Sequence, residues 1–120
     1  MEQRIIKFKA KSIYNNEWVY GDLLHKADGT YIFIGKGENG HILCPKVDPS
    51  TVCQFTGLKD KNGTPIYEGD IVTYKDNNAE RIGDINWDSK AAAFCFGQDF
   101  LFHYSSEYMV VIGNKFDRKK

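Results

Sequence analysis

Residues 51–74 read Thr51-Val-Cys-Gln-Phe-Thr-Gly-Leu-Lys-Asp60-Lys-Asn-Gly-Thr-Pro-Ile-Tyr-Glu-Gly-Asp70-Ile-Val-Thr-Tyr74. Two apolar, strand-like runs flank a centre of Gly, Asn, Asp, Lys and Pro, which is turn chemistry rather than helix chemistry. Asn62-Gly63 suits a turn that needs positive φ, where Gly carries no Cβ penalty and Asn a reduced one. Pro65 fixes φ and withholds an N–H, so the chain leaves this turn extended or along a sheet edge. Glu68-Gly69-Asp70 makes a second turn, from which Ile71, Val72 and Tyr74 open a new strand. Carboxylates at such places cap backbone N–H groups, and Asp60 and Asp70 are read in that role.

The same alternation of short strands and turns extends outward in both directions. Upstream, Lys7 to Ala10 alternates with the period of a half-buried strand, Phe8 inward and the lysines in water. Asn15-Asn16 turns into a strand from Glu17 to Leu24. Ala27-Asp-Gly-Thr30 turns into Tyr31–Ile34, and the glycines between Gly35 and Gly40 predict a mobile loop. His41–Cys44 is a brief strand ended by Pro45, and Val47-Asp-Pro-Ser-Thr51 is a connector. Downstream, Asp76-Asn-Asn78 and Asp88-Ser-Lys90 separate Asp70–Lys75, Arg81–Trp87 and Ala92–Phe96, with Ile82, Ile85 and Trp87 as candidate core residues. Gly97-Gln98-Asp99 is a tight hairpin leading to a strand Phe100–His103, followed by another at Tyr108–Ile112. Helix signals are poor, because the best window, Glu107 to Ile112, is short and β-branched. Phe116 to Lys120 reads as a frayed basic tail.

A chain of 120 residues, 42% hydrophobic and 14% aromatic, can build a core and is of single-domain size, though short strands permit two small modules. The formal charge is 16 − 16 = 0; residues 1–50 carry 7 basic and 6 acidic side chains, residues 51–120 carry 9 and 10. Neither half is basic enough to argue for binding driven by phosphate neutralisation, and the balance leaves nothing to keep two copies apart. Three cysteines without a Cys-x-x-Cys pair, and no signal-like or membrane-length apolar run, predict a soluble protein with reduced thiols in a cytoplasm.

Candidate chemistry is weaker than candidate architecture throughout. His41, Cys44 and Cys53 could supply three zinc donors, but structural zinc needs four, usually in two close pairs. Cys95 and His103 could pair as nucleophile and base, but Cys95 lies between two phenylalanines and an activated thiolate needs an open, electropositive setting. Asp60, Glu68, Asp70, Asp84 and Asp88 fall at or near turns, where local capping explains them better than acid–base pairing. Lys59, Lys61, Tyr67, Tyr74, Lys75 and Arg81 mix basic and aromatic residues as nucleic-acid-binding β surfaces do, with Asp60, Glu68, Asp70 and Asp76 interleaved against them. Tyr14, Trp18, Tyr20, Tyr31 and Phe33 exceed what one small sheet must bury, so this face is expected either to stay open for a partner chain or to pack on the second module, with nothing in the sequence to separate the two.

The segment Cys53-Gln-Phe-Thr-Gly-Leu-Lys-Asp-Lys-Asn-Gly-Thr-Pro-Ile-Tyr-Glu-Gly-Asp-Ile-Val72 closely resembles the central signature of the YopX family of small phage and prophage proteins. Lys7-Phe-Lys-Ala10, Trp18-Val-Tyr-Gly-Asp-Leu-Leu24, Val47-Asp-Pro-Ser-Thr51 and Val111-Ile-Gly-Asn114 extend the likeness over most of the chain. Lys9 departs from it, standing where Arg is more usual, which keeps the charge but loses the planar fork. The resemblance implies a phage-encoded, all-β protein and brings no catalytic residues with it. Together these readings predict an N-terminal antiparallel sheet (1–49) packed on a C-terminal SH3-like small barrel (51–120). The predicted function is a non-enzymatic phage or prophage accessory protein in the bacterial host cytoplasm. It acts through protein–protein contacts, with copies of itself and with a host or phage protein, and uses no metal, cofactor or membrane. A nucleic-acid-binding barrel is the competing reading. The candidate contact or architectural residues are Lys59, Asp60, Lys61, Asn62, Gly63, Tyr67, Glu68, Gly69 and Asp70.

Overall fold

A computed structural model describes residues 4–117. The protein is all-β, built of short antiparallel strands and single-turn 3₁₀ segments. It divides into two compact units, Met1–Phe55 and Thr56–Lys120. The division falls inside the signature, five residues beyond the boundary expected from the sequence. The reason lies in pairing: Cys53 and Gln54 stand opposite Lys9 and Phe8, so the first signature residues complete the N-terminal sheet.

In the first unit, β1 (Phe8–Lys11), β2 (Trp18–Lys26), β3 (Gly29–Phe33), β6 (Lys46–Val47) and the start of β7 (Cys53–Lys59) pair in the order β6-β3-β2-β1-β7. Across β1 and β2 the pair Ala10–Val19 lies on one face and the pair Lys9–Tyr20 on the other, because the side-chain period is two. One face carries the core: Ala10, Ile32 and Val47, with Phe8, Val19, Leu23 and Val52 packed against them. The other carries Lys9 and Lys11, which are buried, contrary to the expectation of lysines in water. Their ammonium groups lie 4.5 and 5.3 Å from the centroid of the Trp18 ring, so the stems run over an aromatic surface. The glycine-rich stretch expected to be a mobile loop forms a two-stranded hairpin, β4 (Gly35–Lys36) on β5 (Ile42–Leu43).

The second unit contains the rest of β7, β8 (Pro65–Tyr67), β9 (Asp70–Lys75), β10 (Glu80–Asp88), β11 (Ala93–Phe96), β12 (Asp99–Phe100) and β13 (Met109–Asn114). The last five make an antiparallel sheet in the order β12-β11-β10-β9-β13, with a bulge in β13 between Val111 and Gly113. Ile66, Val72, Tyr74, Ile85, Phe96, Leu101 and Met109 form its core. Of the three core residues expected in β10, only Ile85 is buried; Ile82 is 67% exposed and Trp87 47%. Ile82 is an odd number of residues from Ile85 and so points to the opposite face. Trp87 shares the face of Ile85 but stands near the strand's end, its ring edge-on to Phe94 at 5.1 Å. The hairpin at Gly97-Gln98 forms as expected, with Phe96 opposite Asp99. The strand expected at Phe100–His103 ends after Phe100, and Leu101–His103 is a 3₁₀ turn with Leu101 inward. Of the expected basic tail, Phe116 and Asp117 belong to a 3₁₀ turn, Lys115–Asp117, and residues 118–120 lie outside the described residues. Among the described residues no helix is long and apolar enough to cross a membrane.

Candidate functional site: the signature turns

The sequence of β7, β8 and β9 brings the signature to two turns, each organised by an aspartate turned inward. Asp60 is 6% exposed. Its Oδ1 accepts the N–H of Asn62 and of Thr64, both at 2.9 Å, which closes the loop over its own tip. Its backbone adds two bonds across the same loop, Asp60 N–H to Thr64 O and Gly63 N–H to Asp60 O. Oδ2 accepts the N–H of Val111 at 2.9 Å, fifty-one residues further along the chain. Lys61 N–H donates to Met109 O on the same strand, β13, so the loop is stitched to that strand twice. Burial pushes the Asp60 carboxyl upward, but the N–H donors of Val111, Thr64 and Asn62 outweigh it and hold the group below the usual carboxylate value.

Asp70 is 1% exposed. Its Oδ2 accepts the Tyr67 N–H at 2.7 Å and its Oδ1 accepts Asn114 Nδ2 at 3.0 Å. Between Tyr67 and Asp70, Gly69 adopts φ 89°, a region L side chains avoid, donates to Ile85 O and accepts from Lys115 N–H. Gly63 at the other turn has φ 84° with open space where a Cβ would stand. Two carboxylates thus satisfy buried backbone donors and tie their turns to β13.

This use of aspartate recurs. Asp48, Asp60, Asp76 and Asp88 each accept the N–H two residues on, from Ser50, Asn62, Asn78 and Lys90. The repeated Asp-x-polar spacing makes those turns visible in the sequence. The bonds to Val111 and from Asn114 have no local signal, and the sequence reading did not find those partners.

Of the candidate residues, Lys59, Lys61, Asn62 and Gly63 are exposed at the loop tip, Glu68 is half-buried, and Tyr67, Gly69, Asp60 and Asp70 are buried. The basic–aromatic set is brought together only in part: Tyr74, Lys75 and Arg81 line one open depression, but the side chains of Tyr67 and Tyr74 are buried. Tyr74 donates its hydroxyl to Asp76 Oδ2 at 2.6 Å, and that bond, with burial, pushes its pKa up to about 12. Tyr104 is likewise raised, by its bond to Asp99 Oδ2 at 2.5 Å, and Arg81 lies 3.4 Å from the same carboxylate.

Of the cysteines, Cys53 and Cys95 are buried and Cys44 is half-buried. Cys53 is buried and donates to Thr51 O at 3.2 Å. Cys95 is buried opposite Phe100, and burial pushes its thiol up, away from the thiolate. His103 is exposed, its ring edge-on to Phe102 at 4.5 Å. Among the described residues no group of three or more His, Cys, Asp or Glu side chains is placed to hold a metal ion. In the second unit an open depression of about 370 Å³ is lined by Thr56, Leu58, Phe94, Leu101, Phe102 and Tyr104, an apolar wall with one phenol.

The comparisons with known proteins agree with this architecture. A solved protein from Enterococcus faecalis, EF1440, is similar over 93% of this chain and 94% of its own, at 25% identity and a TM-score of 0.56. No curated protein matches. The family model described as YopX protein matches residues 7–118. That span takes in both units and both signature turns, and the chain belongs to the YopX family.

Proposed function

We propose that this chain is a non-enzymatic accessory protein of phage or prophage origin that works in the bacterial host cytoplasm through protein–protein contacts, including contacts with copies of itself. One observation carries the reading: the carboxylates of Asp60 and Asp70 are engaged by backbone N–H groups and by Asn114, holding shape where a reaction would need open groups. What the turn presents to solvent is Lys59, Lys61 and Asn62 on a fixed frame, a surface suited to being recognised. The family resemblance supports a phage setting. The order β12-β11-β10-β9-β13, with the last strand returning to the first of the five after a 3₁₀ segment, supports the SH3-like reading of the second unit.

Light scattering on the purified full chain across a concentration series tests the self-association. A mass that rises above one chain supports it, and a constant monomer overturns it. Alanine at Lys59 and Lys61 together is expected to leave thermal stability nearly unchanged and to weaken capture of the partner from infected cells. Asp60 is left out of that variant because it holds the loop.

A further inference from the structure

Five side chains on the outer face of β2 and β3 are arranged so that a second copy of this chain fits them, and we propose that this face is where two copies meet. The inference rests on the self-association reading above and names its surface. Register decides which groups share the face: Asp22, Leu24 and Lys26 alternate along β2, with Phe33 opposite Asp22 and Tyr31 opposite Leu24. The core of the unit lies on the other face, under Ile32 and Leu23. Leu24 is 43% exposed and Phe33 37%, and both flanking charges are exposed.

The spacing is self-complementary. Asp22 stands two residues before Leu24 and Lys26 two residues after it, so the charges sit about 7 Å to either side of an apolar centre. A two-fold axis between two such faces, crossing β2 at Leu24, runs the two β2 strands antiparallel. It sets Asp22 of one copy against Lys26 of the other, twice, with Leu24 on Leu24 between them. Lys26 already lies over Tyr31, 4.7 Å from the ring centroid, which holds its ammonium on this face. A net charge of zero adds no long-range repulsion between copies. Two charge pairs around one small apolar centre make a weak, concentration-dependent dimer.

Charge exchange tests this directly. The full chain, and the variants Asp22→Lys, Lys26→Asp and the double exchange, are compared by light scattering over a concentration series, with circular dichroism confirming the fold of each. Each single exchange sets like charges together and is expected to weaken the dimer about tenfold or more. The double exchange restores opposite pairs and is expected to return the dimer to near the starting affinity. Leu24→Glu is expected to abolish it. A starting protein that stays monomeric overturns the self-association reading itself. A dimer that ignores the single exchanges, or that the double exchange fails to restore, leaves self-association standing and overturns this surface.

Discussion

The two units draw their clearest charged contacts from opposite signs, although Asp48 also caps a turn in the first and Arg81 and Lys115 lie over rings in the second. In the first, lysines lie over rings: Lys7 on Phe55, Lys9 and Lys11 on Trp18, Lys26 on Tyr31, at 4.5 to 5.3 Å. In the second, aspartates hold turns: Asp60, Asp70 and Asp76 accept backbone N–H groups at 2.7 to 2.9 Å. The difference follows from side-chain reach. A lysine stem is long enough to cross to a neighbouring strand and lay its methylenes on an aromatic face. An aspartate is short and can meet only the backbone around it or a strand already pressed against its loop. The lysine contacts spread over a sheet face, and each is worth little. The Asp70 contacts fall on buried donors that have no water to turn to, and those of Asp60 on part-buried ones, so each of these matters more.

This contrast can be broken at its strong end first. Asp70→Ala leaves the Tyr67 N–H and the Asn114 amide without their acceptor, in a site almost closed to water. The expected loss is about 3 kcal/mol, read by chemical denaturation. Asp60→Asn keeps an oxygen for the tip of the loop but sets an amide nitrogen against the Val111 N–H, donor against donor, and about 2 kcal/mol should be lost at neutral pH.

Acid sharpens the second prediction. The folded Asp60 carboxyl lies below its unfolded value, so its contribution is complete above about pH 5. It is lost as pH falls from there through the folded value. The stability gap between the parent chain and Asp60→Asn should therefore narrow below about pH 4 and not on the alkaline side. A gap that stays constant from pH 7 to pH 3 removes Asp60 as a charged latch.

Backbone shape comes next. Gly63→Val places a β-branched residue at φ 84° with no neighbour to clash, so the cost is conformational alone, about 1–2 kcal/mol. Ala92 already occupies φ 53° in the turn between β10 and β11, and Ala92→Gly should stabilise by up to about 1 kcal/mol. The smallest effect belongs to the first unit. Lys7→Met keeps the stem over Phe55 and removes the charge, for a loss of about 0.5 kcal/mol read by chemical denaturation. A loss as large as that of Asp70→Ala would erase the distinction between the units.

What could be read in advance was local. Turns at Asn62-Gly63, Glu68-Gly69, Asp76-Asn78 and Gly97-Gln98, and the strands between them, follow from backbone dihedrals and from which side chain can reach its own N–H two residues on. The all-β class and the family follow from the same residues, because turn chemistry in one register identifies both. Tertiary structure decided which face of each strand was covered. It buried Lys9 and Lys11, left Ile82 and Trp87 in solvent, and took Tyr67 and Tyr74 from a supposed binding surface into the interior. It also chose the far partners of the signature, Val111 for Asp60 and Asn114 for Asp70, across 51 and 44 residues. Alternation along a strand says that two faces differ, not which one another layer will cover. A carboxylate in a turn advertises the bonds it makes nearby and gives no sign of the strand that comes to lie against its other oxygen.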